Sequence, residues 1–115
     1  MNNNLIDKNS WKEFFEFASK NAKGQQIELE IIGMDIGDQI EEEWVNLVGM
    51  SYDPNEEILF VHTATDDHPI LKPQEVVSSV DGSVTHSIAV KDSNGVVQII
   101  KFRTPLRIEG EHVKH

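Results

Sequence analysis

The chain has 115 residues, 38% of them apolar, with no cysteine and a net charge of −10. That length fits one domain, the missing cysteines exclude disulfides and thiolate metal sites, and no apolar run reaches the roughly 18 residues of a membrane-spanning helix. Between Lys23 and Lys72 there are twelve carboxylates and no lysine or arginine, so a surface built from this stretch repels nucleic-acid backbones and anionic membranes, both of which are held by basic clusters.

Residues 1–9 read as a polar lead-in. They lack the basic start and apolar run of a signal peptide, and a cytoplasmic location is expected. Ser10-Trp11-Lys12-Glu13 has capping-box spacing. Trp11, Phe14, Phe15, Ala18 and Ala22 then fall on one helical face, Lys20 and Lys23 suit a helix C-terminus, and Gly24 suits the position just beyond it. A helix is predicted over about 11–22.

After Gly24 the period changes to two. Ile27, Leu29 and Ile31 alternate with Glu28 and Glu30 as a half-buried strand. The acidic stretch Asp35–Glu43 reads as a loop, Trp44 to Tyr52 as a second strand, and Asp53-Pro54-Asn55-Glu56-Glu57 as a turn. Ile58 to Thr63 is expected to be a central strand and Thr65–Pro69 a loop. Ile70 to Val80, interrupted by Pro73, reads as one short irregular strand at an edge. Val84 to Val90 and Val96 to Arg103 form a hairpin across Lys91-Asp92-Ser93-Asn94-Gly95, ended by Pro105. Glu109 to His115 read as a tail. The fold class expected is α+β: one N-terminal helix on a strongly curved antiparallel sheet, or a small open barrel, of five to six strands. It occupies a single domain, 1–115, whose ordered core spans about 5–108.

The helix with Trp11, the order Asp35-Ile36-Gly37 and then Leu47-Val48-Gly49-Met50-Ser51-Tyr52-Asp53, followed by His68-Pro69-Ile70, Pro73 and Lys91–Gly95, resembles a family of small bacterial proteins that is known only as a domain of unknown function. The resemblance covers about residues 5–105 and implies no activity, ligand or catalytic residue. The element order is also similar to Sm-like and SH3-like small barrels, an analogy of architecture that does not fix function.

Two groups of residues are candidates for a site. Asp35, Asp38, Glu41, Glu42, Glu43 and Trp44 form an interaction surface suited to a basic protein partner, since a single-sign patch steers association. The simpler reading is a charged loop that keeps a strand edge soluble. His62, Asp66, Asp67 and His68 concentrate imidazole and carboxylate ligands. A solvated turn is the simpler reading there, because successive side chains on an extended segment point opposite ways. No catalytic residue, cofactor or metal is therefore expected. His86 is expected to be hydrogen-bonded at the core margin.

The leading functional expectation is a non-enzymatic interaction or accessory module acting through the acidic surface or an exposed strand edge. Ile27–Met34 and Val96–Arg103 are the edges that could form a homodimer. The alternatives are a small hydrolase or metal-dependent enzyme using His62, Asp66, Asp67 and His68, and a nucleic-acid-binding small barrel. The last is disfavoured by charge unless Lys101, Arg103 and Arg107 form one basic cluster.

Overall fold

The computed structural model of the protein describes residues 2–33 and 37–107. It is mostly sheet, 66% strand. The strands are β1 (Asn2–Leu5), β2 (Gln26–Gly33), β3 (Gly37–Asp53), β4 (Ile58–Thr63), β5 (Asp67–Leu71), β6 (Pro73–Asp81), β7 (Val84–Asp92) and β8 (Val97–Leu106). They form one antiparallel eight-stranded sheet in the order β1-β6-β7-β8-β2-β3-β4-β5. The single α-helix among the described residues, α1, spans Trp11–Ala22. No helix among the described residues is long and apolar enough to cross a membrane.

The five- to six-strand α+β expectation is thus corrected to a mainly-β sheet of eight strands with one short helix. Three local features account for the difference. The polar lead-in Asn2–Leu5 pairs with β6 as an exposed edge strand, which no alternation of apolar residues announces. Lys72, at φ 51°, turns a corner that splits the stretch around Pro73 into β5 and β6. Pro69 is tolerated because β5 is a true edge. The acidic run from Gly37 onward is strand rather than loop. Ile27–Met34 and Val96–Arg103 are not edges either, since β2 lies between β8 and β3, and β8 between β7 and β2. Pro105 lies inside β8 instead of ending it.

Helix α1 covers one face of the sheet, called the inner face below. Trp11, Phe14, Phe15, Ala18 and Ala22 are all buried, as their spacing predicts, and they join Ile27, Leu29, Met50, Tyr52, Val61, Ile88 and Ile100 in one core. The Trp11 ring stands edge-on to Tyr52 at 5.3 Å, and its Nε1–H donates to the Ile6 carbonyl at 2.9 Å. The capping box does not form: Ser10 makes no side-chain cap bond, and a 3-10 turn at Lys8–Ser10 leads into the helix. At the other end Lys23 (φ −56°, ψ 127°) and Gly24 (φ +83°) make a type II turn closed by Gln25 N–H to Ala22 O. Only a residue at ease with positive φ suits the Gly24 position.

β3 is the strand that bends. Its first part pairs with β2 and its second with β4, and the register slips where one residue is extra: at Glu43/Trp44, at Glu41 and at Val48. Trp44 takes φ 50° there. The slip at Val48 leaves the Met50 N–H to donate to Ser19 Oγ at 2.9 Å, which fixes helix to sheet. Gly49 lets the helix sit close at this crossing: a Cβ there would lie 3.2 Å from the same oxygen, a tight contact.

Candidate functional site

The β4–β5 turn is organised by Thr63. Its Oγ accepts from the backbone N–H of Thr65 (3.3 Å) and of Asp66 (3.0 Å) and donates to the Asp66 carbonyl at 3.1 Å. This turn folds back onto the bulged part of β3. There Glu42, opposite Leu29, faces the inner side of the sheet. His68 Nε2 lies 2.9 Å from Glu42 Oε2, and Thr65 Oγ donates to Glu42 Oε1 at 3.1 Å. The Glu42 and His68 side chains are mostly covered, at 11% and 16% exposure. The ligand atoms of Glu42, Asp66 and His68 all lie within 4.8 Å of one another.

The four loop residues expected together therefore divide. Asp66 and His68 join Glu42. His62 and Asp67 are register partners that form a separate pair at 2.8 Å, with His62 stacked on Phe60. Strand alternation separates the two groups, because His68 shares a face with its partner Val61, which is buried. A cleft of about 290 Å³ lies elsewhere, lined by Lys8, Asn9, Lys12, Tyr52 and Pro54.

The acidic surface also divides. Asp35 lies outside the described residues. Glu41 and Glu43 are exposed, Glu42 turns inward, and Trp44 is half-buried beneath the Arg103 guanidinium, 5.5 Å from its ring centre. Met50 and Tyr52 are in the core; the bulge at Val48, between Trp44 and Met50, inverts the parity of the strand. Asp38 belongs to a different cluster, on the outer face. Lys101 Nζ lies 2.6 Å from Glu30 Oε1 and 3.3 Å from Glu28 Oε1. Hydrogen bonding to the Glu30 carboxylate raises the Asp38 carboxyl above its ordinary value, whereas Glu30 is lowered, first by that bond and then by Lys101. Of the two, Asp38 is the carboxyl that holds a proton more readily. Asp38→Asn keeps a donor toward Glu30 and removes a charge whose neutral form the fold prefers. Asp38 contributes its stability below its unfolded value of 3.8 and loses it as pH rises through the raised folded value. The variant should therefore melt above wild type at neutral pH, by a difference that vanishes toward acid. Equal melting temperatures at neutral pH would contradict the raised Asp38 carboxyl.

The residues around this cluster were not legible as a site. The register places Leu5, Val77, Ala89, Ile99, Glu30 and Ile40 side by side across six strands of the outer face. Ile32 and Val97 stand in the neighbouring row. Leu5, Ile40 and Ile32 are 68%, 48% and 36% exposed. The signal for this stripe was the doublets Ile31-Ile32 and Ile99-Ile100, which put an apolar residue on each face of β2 and β8. The basic residues Lys101, Arg103 and Arg107 do not form a free cluster: Lys101 is tied to glutamates, Arg103 to Gln26 and Trp44, and Arg107 to Ser83. His86 sits at a register slip between Thr85 and Ser87, and its buried Nε2 has no hydrogen bond, the nearest carboxylate oxygen being that of Asp81 at 3.8 Å. The hydrogen bond expected of His86 is therefore not made by its Nε2.

No solved structure matches this chain. An uncharacterized protein of Aquifex aeolicus (strain VF5) is 36% identical over 100 residues, which cover 85% of this chain and 89% of that protein. Residues 2–111 match the model of the family of unknown function DUF5335, to which this chain belongs.

Proposed function

We propose that the domain is a non-enzymatic interaction module whose outer sheet face receives a protein segment carrying aliphatic side chains around a lysine or arginine. The observation that supports this is the outer stripe, where Glu30, 7% exposed, is the one charged residue among Leu5, Val77, Ala89, Ile99 and Ile40. Solvent-exposed faces of antiparallel sheets are ordinarily polar, and contiguous apolar patches rimmed by polar residues mark interaction sites. Glu28, Glu30 and Asp38 face a single lysine, so an incoming cation finds surplus carboxylate oxygens. The net charge of −10, with no lysine or arginine between Lys23 and Lys72, supports a protein partner over nucleic acid. The four loop residues of the enzyme alternative are split between two groups, which favours the module.

A peptide of alternating leucine and lysine, titrated into the isotopically labelled protein, should shift the amide resonances of Glu30, Ile32, Ile40 and Ile99. Its glutamate-for-lysine counterpart should not, and Ile40→Asp should weaken binding of the lysine peptide about tenfold or more, as loss of a central contact does. Shifts confined to the acidic Glu41–Glu43 segment, or equal binding by Ile40→Asp, would overturn the reading.

A further inference from the structure

We propose that Glu42, Asp66 and His68 form a binding site for a divalent transition ion, with zinc as the best fit. The site is separate from the outer stripe, since Glu42 stands opposite Leu29 on the inner side. One imidazole nitrogen and two carboxylate oxygens are a mixed donor set that suits zinc, iron or manganese better than calcium, which takes six to eight oxygens. Two donors about 2.1 Å from one ion at a tetrahedral angle are about 3.4 Å apart. The 2.9 Å between His68 Nε2 and Glu42 Oε2 and the 4.8 Å limit on the full set bracket that separation.

Two further observations point to a cation. The first is the asymmetry at Asp66. Its backbone is tied to Thr63 on both sides, yet its carboxylate has no hydrogen-bond or ion-pair partner among the described residues. The second is the charge balance. Two carboxylates converge, and among the described residues no lysine or arginine pairs with either. The only basic group with them is His68, whose neutral form is the metal ligand. Thr65 meanwhile holds Glu42 by its other oxygen, as the supporting partners of ligating carboxylates do. Three protein ligands leave a position for water or for a small anionic ligand, the arrangement of open zinc sites.

Sequence reasoning had only the loop to work with. It asked whether His62 could complete the set, whereas the third ligand comes from β3, whose bulges at Glu41 and Glu43/Trp44 place Glu42 on the inner face. The competing explanation is a structural His68–Glu42 bond with Asp66 left in solvent.

The two readings separate in calorimetric titration of the EDTA-treated, desalted full-length protein with zinc chloride, manganese chloride and calcium chloride near neutral pH. The expected result is a saturable one-to-one isotherm for zinc, a weaker one for manganese and none for calcium. Glu42→Gln, Asp66→Asn and His68→Asn should each weaken zinc on the order of tenfold or more. His62→Asn and the double variant His112→Ala/His115→Ala should bind as wild type does. Asp66→Asn is the discriminating variant: among the described residues its carboxylate has no hydrogen-bond or ion-pair partner, so the metal-free variant should fold as wild type does, while the rise in melting temperature with zinc should be lost. The absence of a zinc isotherm would overturn the site. So would binding that survives Asp66→Asn, or binding lost in His62→Asn or in the tail variant.

Discussion

Phe15→Ala should lower the unfolding free energy by about 3–5 kcal/mol, the usual cost of emptying a buried phenylalanine site. Phe15 is fully buried and stands edge-on to Phe14 at 5.2 Å. It lies on the face of α1 that seals the sheet, where no side chain on a rigid strand can move in to fill the space. Domains of this size hold only about 5–15 kcal/mol in total, so the variant should be largely unfolded well below the wild-type midpoint in urea. Its dependence on denaturant should be unchanged if the native state is otherwise the same. Lys20→Ala, on the exposed side of the same helix, is the control and should stay within about 0.5 kcal/mol. A loss below about 1 kcal/mol at Phe15 would mean that α1 does not close the core.

The second large effect is at the crossing of α1 over β3. Gly49→Val should cost about 1–3 kcal/mol, the range for overpacking a well-filled site. A first carbon at Gly49 already meets Ser19 Oγ at 3.2 Å, and a branched side chain forces the helix outward. Ser19→Ala removes that oxygen but leaves the Met50 N–H without its acceptor, at about 1–3 kcal/mol for a buried donor. The two losses share one cause, so the double variant should be more stable than their sum predicts, by more than the roughly 0.5 kcal/mol that independent sites allow. Additive losses would show that helix and strand do not touch there.

The helix was legible because its signal is local. Trp11, Phe14, Phe15, Ala18 and Ala22 repeat at helical spacing, and all are buried. The turns at Asp53–Glu57 and Lys91–Gly95 were legible for the same reason. Asp53 and Asp92 each accept backbone N–H groups within four residues, chemistry written in the residue types themselves. What failed was parity. Each bulge in β3 inverts the faces of every residue beyond it, and nothing in Glu41-Glu42-Glu43-Trp44 says where the extra residues fall. Glu42 was therefore assigned to a solvent surface although it points at His68. Lys72 hid two strands in the same way, because a lysine at positive φ carries no turn signature. The site needs partners from β3 and β5, 26 positions apart. No spacing rule connects them.

The order of strands also governs how the chain finds its fold. β3, β4 and β5 follow one another by short turns, as do β6, β7 and β8. β2 joins the first meander as the arm of a hairpin with β3, Gly33 opposite Gly37, and it meets the second at β8, where its Ile27 lies opposite Phe102 near the far end of the chain. That β2–β8 seam cannot zip from a hairpin. It must bear the loop-closure entropy of the long intervening segment before any ladder bond rewards it. Folding is accordingly set by this one junction and falls with slow, non-local β proteins in the millisecond-to-second class. The N-terminal strand follows the opposite rule: four exposed residues held on one side by β6 can open and reclose while the rest of the sheet stays shut.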